Sequence, residues 1–149
     1  MQYLCNAKNN VTMKKLIMII AAFVVLLAVD AQKVYRVERL KSFNMGAAVL
    51  ERVVQADTTY AIVMKSGGAY VSRFTVALGK KDEAIRLLAF ISELKLSKDD
   101  VVELENETDN FIKKGPLGGL ALCEKVTQRY SVITTGQAKK MLEAVKEDK

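Results

Sequence analysis

Leu16 to Val29 is an unbroken apolar run, introduced by Lys14 and Lys15 and closed by Val29-Asp30-Ala31. Such a run cannot lie on the surface of a soluble domain. It is removed, held in a membrane or buried. The run is shorter than the ~18–20 apolar residues of a stable membrane span. Its order of positive start, apolar middle and small closing residue is that of a secretory signal. The reading is therefore a signal peptide over residues 13–31, cleaved between Ala31 and Gln32, in preference to an uncleaved anchor or a buried core helix. No Leu-x-x-Cys sequence ends the run, so lipid attachment is not indicated. Residues 1–12 are polar and add nothing to a signal. A mis-assigned start, with Met13 as the first residue of the precursor, accounts for them. The expected location is periplasmic or secreted, with contact to a membrane only through the signal before cleavage.

Removing the signal changes the bulk character of the chain. The full sequence has 23 basic and 17 acidic residues, a net charge of +6. Taking away Lys8, Lys14, Lys15 and Asp30 leaves 20 basic and 16 acidic residues, a net of +4. No Lys/Arg run exceeds two residues, so the clustered stripe of a nucleic-acid binder is missing. Residues 32–149 are enough for one small domain with its own core.

The chain has no histidine. That removes Ser-His-Asp triads, Cys-His dyads and His-ligated zinc. Of the two cysteines, Cys5 would leave with the signal, so Cys123 has no partner for an intramolecular disulfide. Set among Leu120, Ala121 and Leu122, it reads as a buried core residue rather than a reactive thiol.

Periodicity organises the rest. Val34 to Phe43 is rich in strand formers, with Tyr35, Val37 and Phe43 in one parity. Ala48 to Gln55 and Tyr60 to Met64 flank the turn Asp57-Thr58. They read as a hairpin rather than a helix, because turn chemistry and β-propensity agree. After Ser66-Gly67-Gly68, a strand alternates Tyr70, Phe74, Val76 and Leu78 against Arg73 and Thr75. Asp82 to Leu96 shifts to helical spacing, with Ile85, Leu88 and Ile91 beside Leu87 and Leu94. Val101 to Phe111 and Leu120 to Ile133 read as a strand pair joined by Gly115-Pro116-Leu117-Gly118-Gly119. Thr134 and Gln137 form a capping box for a last helix that buries Ala138, Met141, Leu142 and Val145. The expected fold is α+β: an antiparallel meander of four to five strands, with a central and a C-terminal helix on one face.

Few features carry chemistry. Glu103, Glu105, Glu107 and Asp109 alternate, which on a strand puts four carboxylates on one face. They are the candidate metal ligands, but a flat strand spaces its ligands ~7 Å apart and does not wrap an ion. Pairing across the hairpin is the preferred reading, with Glu107 opposite Lys125, Glu105 opposite Thr127 and Glu103 opposite Arg129. The other face would place Val102, Leu104, Leu122, Val126 and Tyr130 in the core. The glycine-rich loop lacks the Lys-Ser/Thr ending of a phosphate loop and reads as a hairpin loop. Flanked by Lys113 and Lys114, it remains available to a partner. The tyrosines read as sheet packing. Asn106-Glu107-Thr108 matches a glycosylation sequon, a frequent chance match.

The segment ending Val29-Asp30-Ala31-Gln32, together with Asp57 to Val63 and Val76 to Leu88, resembles small uncharacterised exported proteins of the Bacteroidetes type. The resemblance implies a bacterial envelope compartment and brings no activity, cofactor or catalytic residue with it. The functional expectation is a non-catalytic binding module without a cofactor, whose partner is a protein, a glycan or an envelope component. The alternatives are a small His-independent enzyme using Lys, Tyr or carboxylates, and a weak cation-binding module.

Overall fold

A computed structural model describes residues 35–67 and 72–149. The apolar segment, the start at Met13, the boundary between Ala31 and Gln32, Gly68 and Tyr70 lie outside the described residues. Four strands come first: β1 (Arg36–Phe43), β2 (Ala48–Val54), β3 (Thr58–Ser66) and β4 (Ser72–Gly79), paired antiparallel in that order. Helix α1 (Lys81–Glu93) follows. The pattern then repeats with β5 (Val101–Glu103), β6 (Asn110–Lys114), β7 (Leu120–Glu124) and β8 (Tyr130–Ile133), again an antiparallel meander in chain order, and helix α2 (Thr135–Glu147). The fold is α+β, as the periodicity predicts, built as two successive four-strand-plus-helix units. Among the described residues no helix is long and apolar enough to cross a membrane.

The first meander follows from strict alternation. Tyr60, Ile62 and Met64 on β3, and Phe74, Val76 and Leu78 on β4, are buried, while Arg73 and Thr75 are exposed. The hairpin of β2 and β3 forms in the register Leu50↔Ile62. In β1 the parity breaks. A bulge between Arg39 and Lys41 shifts the register, so Phe43 packs on the core while Val37 stays exposed. One core joins both sheets and both helices. It includes Leu50, Ile62, Leu88, Ile91, Ile112, Leu122, Ile133 and Met141, all fully buried. Each contributes roughly 1.5–3 kcal/mol by leaving water. The two helices pack on each other, with α1 against β3 and β4 and α2 against β1.

The expected long strand pair is the main correction. Val101 to Phe111 and Leu120 to Ile133 are each broken by a turn, giving four short strands instead of two. Lys125 to Arg129 form a turn rather than a strand. The expected register is therefore absent: Asn110 faces Glu124 and Phe111 faces Cys123. Val126 is 86% exposed and Tyr130 is 49% exposed, so neither joins the core. Helix α1 also ends at Glu93, short of Leu96. The capping box of α2 is present: the Gln137 amide donates to Thr134 Oγ1 (3.1 Å) and the Thr134 amide to Gln137 Oε1 (3.0 Å).

A polar latch ties the end of α2 to the first sheet. Arg52 on β2 donates through Nε to Glu38 (3.0 Å) and through Nη1 to Asp148 (2.5 Å). The Tyr60 hydroxyl donates to the other Asp148 oxygen (2.7 Å), and Lys81 Nζ donates to the Asp148 carbonyl. Burial, then the bond to Asp148, pushes the Tyr60 hydroxyl up to about 12. Its folded value lies above its unfolded value near 10, so its contribution is complete below pH 10 and lost as pH rises through 12. A Tyr60→Phe chain is expected to lose less stability between pH 9.5 and 12 than the natural chain, by about 2–3 kcal/mol. Urea unfolding at stepped pH measures this, and identical slopes would remove Tyr60 from the latch. Asp148→Ala is expected to cost about 1–3 kcal/mol at pH 7 in the same assay.

Candidate functional site

A groove of about 980 Å³ lies between the end of β4, the outer side of α1 and residues 102–109. Its shape begins with the polar side chains of the loop between β5 and β6. Asn110, the first residue of β6, is buried and gathers the side chains of this loop. Its side-chain oxygen accepts from Asn106 Nδ2 (3.0 Å) and from the Thr108 hydroxyl, and its Nδ2 donates to the Cys123 carbonyl (3.4 Å). Asn106 and Thr108 then reach the free edge of β4. Asn106 Nδ2 donates to the Ala77 carbonyl (3.0 Å), and Thr108 Oγ1 accepts from the Ala77 amide (2.9 Å). The loop is thus held against β4 by two side chains that complete the hydrogen bonding of an edge-strand residue. With Asn106 Nδ2 so engaged, the sequon match is occupied by structure.

This arrangement explains the acidic alternation differently from a strand. Glu103 closes β5, while Glu105, Glu107 and Asp109 lie in the loop. The inward positions are Val102, Leu104, Asn106, Thr108 and Asn110, and the four carboxylates alternate with them on the exposed side. The two-residue period therefore persists in burial through a segment that is not a strand. The expected cross-strand pairs do not form. Lys125 Nζ lies 3.4 Å from Glu103 in an exposed pair, and Arg129 binds Glu124 (2.9 Å). The exposed Lys125–Glu103 pair is worth little, about 0–1 kcal/mol. Among the described residues no ion pair engages Glu105, Glu107 or Asp109. Nor do three carboxylates converge to cage an ion among the described residues.

The opposite wall comes from α1. Leu87 is half-buried, and Phe90 stays 46% exposed three residues on, beside Arg86 and Glu83. Glu83 also accepts from the Lys80 amide (2.8 Å), which fixes the first turn of the helix. Gly79 permits this entry: at φ +81° it takes a conformation costly for other residues, and a Cβ there would meet the Glu83 carboxylate. The floor is apolar, from Ala77, Leu78, Leu87, Val102 and Leu104. The rim carries five carboxylates (Glu83, Glu103, Glu105, Glu107 and Asp109) against one guanidinium, Arg86. Sequence reasoning found the carboxylates but missed Leu87–Phe90 as a wall. The available signal was Phe90, an apolar residue on α1 outside the stripe that packs on the core.

Tyr60 and Cys123 lie outside this groove. The Tyr60 hydroxyl is committed to Asp148. Cys123 is buried on the second sheet between the cross-strand neighbours Phe111 and Tyr130. Burial pushes its thiol above the ordinary value, with Lys113 opposing. In a Cys5→Ser chain, the thiol is expected to react with a disulfide reagent at pH 8 at least about 100-fold faster in urea than in the native state. Equal rates would show an accessible thiolate. Asn110→Ala is expected to cost about 1–3 kcal/mol. It should also speed hydrogen exchange at the Ala77 amide, and unchanged protection there would separate the loop network from the β4 edge. No protein family, curated protein or solved structure compared with the chain matches it.

Proposed function

We propose that this protein is a binding module of the cell envelope, not an enzyme, and that its binding site is the groove between α1 and the acidic loop. The observation that supports this reading is an apolar floor under a rim of one sign. The chain as a whole carries an excess of basic residues, so a local excess of carboxylates beside exposed Phe90 departs from its overall charge. The complementary ligand is a peptide segment that alternates apolar and cationic side chains. Its apolar groups would cover Phe90 and Leu87. Its ammonium or guanidinium groups would meet Glu105, Glu107 and Asp109, which are free of ion pairs among the described residues. Contacts of this type give selectivity and association rate, while the buried apolar side chains give most of the affinity.

The test is titration of the full chain with a capped peptide alternating Leu and Lys, followed by NMR. Shifts are expected at Leu87, Phe90 and residues 103–109, and binding should weaken with salt. Glu105→Lys with Glu107→Lys should weaken binding at least about tenfold, and Phe90→Ser about as much. Equal binding of a peptide with Glu in place of Lys, or shifts confined to other surfaces, would remove the groove as the site.

A further inference from the structure

Two hairpin tips share an unusual chemistry. Between β1 and β2, Met45 (φ 55°) and Gly46 (φ 84°), preceded by Asn44 also at positive φ (51°), form a tight turn closed by the Ala47 amide on the Asn44 carbonyl (3.1 Å). Between β6 and β7, Leu117 (φ 54°) and Gly118 (φ 77°) form a matching turn closed by the Gly119 amide on the Pro116 carbonyl (3.0 Å). Two successive positive-φ residues are the signature of the type I′ turn, whose first position strongly favours Asn, Asp or Gly. Here that position holds Met and Leu. Both side chains are fully exposed, so neither packing nor backbone preference accounts for them. A bulky residue kept twice in a strained conformation with its side chain in water points to a contact made outside the chain.

The two tips border one element. Gln137 in the first turn of α2 donates to Asn44 Oδ1 (3.0 Å), beside Met45. Leu120, just after the second tip, pairs with Ile133, which leads into the cap of α2. The surroundings are cationic. Lys113 and Lys114 precede the Leu117 tip and are exposed, as are Lys139 and Lys140 on α2. Lys65 Nζ lies beside Gly46. The first turn of α2 carries no carboxylate, although its dipole would favour one. Asp99 and Asp100 precede β5, where Val101 faces Lys113, so they border Lys113 and Lys114, and the excess of positive charge rests on Lys65, Lys139 and Lys140.

We infer that this end of the molecule docks on an anionic lipid surface, with Met45 and Leu117 entering the acyl boundary and the lysines lying at phosphate level. A folded protein would need a separate hollow for each knob. A fluid bilayer takes both without shape matching, and the lysines supply the attraction to its phosphates. The inference does not depend on the groove.

The test uses the full chain with Cys5→Ser, since native Cys123 is buried. A polarity-sensitive fluorophore is placed at Met45→Cys, at Leu117→Cys, and at Val126→Cys as an exposed control in the turn between β7 and β8, at the other end of the second sheet. The segment before residue 32 is common to all three, and position 126 reports what it alone brings. With vesicles of mixed phosphatidylglycerol and phosphatidylcholine, blue-shifted emission and quenching by a lipid-borne quencher are expected at 45 and 117 but not at 126. Both signals should fall in pure phosphatidylcholine and at about 0.5 M salt. Leu117→Asn suits the positive φ and preserves the hairpin, so it should raise the lipid concentration for half-maximal shift at position 45 about tenfold without lowering thermal stability. Equal signals at all three positions would overturn the inference. So would insertion indifferent to lipid charge, or burial of the tips by an added protein but not by lipid.

Discussion

The free edge of β4 is the constraint on which the rest of the arrangement depends. An open strand edge offers unpaired amides and carbonyls to any passing chain. Here the second unit covers it with side chains rather than with another strand. Asn106 and Thr108 take both backbone groups of Ala77, and Arg129 Nη1 donates to the Arg73 carbonyl (3.0 Å). The loop and the turn that provide these groups lie at one end of the second sheet, so that end is set against β4. Asn110 makes the loop rigid enough to serve, because its buried amide is shared between Asn106, Thr108 and the Cys123 carbonyl. Side chains that meet β4 at two points leave space beside them, and the groove occupies that space next to α1.

Much of this fold is legible in the sequence wherever one face is dry and the other wet. β3, β4 and both helices show their periods plainly, and the Thr134–Gln137 box marks the start of α2. The misreading at 101–133 has a physical origin. Alternation reports which side chains face inward, and a loop pinned by its inward side chains alternates as cleanly as a strand. Asn106, Thr108 and Asn110 were the warning, since polar inward residues at alternate positions suit a hydrogen-bonded loop better than a sheet face. The bulge in β1 was not visible either, because one extra residue leaves no mark on composition.

The site was half legible. The four carboxylates stand out in the sequence, and the structure keeps them on one side. Phe90 and Leu87 become meaningful only once α1 is known to leave part of its apolar surface uncovered, and that depends on the packing of a loop thirteen or more residues further on. The tips are a contrasting case. The loop around Leu117-Gly118 is marked in the sequence by its glycines, whereas Met45-Gly46 lies between two expected strands and was not singled out. The residue before each glycine becomes informative only with its positive φ and its exposure.

The two proposed surfaces have a fixed relation through the second sheet. Strand β6 begins at the acidic loop and ends at the Leu117 tip, so the carboxylates and the cationic tip lie at opposite ends of the same meander. This separation has an electrostatic consequence. An anionic bilayer attracts the lysine end and repels the carboxylate end, so docking and orientation come from the same charge distribution. Repulsion holds the groove away from the lipid, and a cationic segment reaching the groove does not compete with the lysines for phosphate. Were the charges mixed over the surface, the same net charge would hold the protein on the bilayer without fixing which side faced outward. The placement of charge, rather than its total, makes the two surfaces compatible.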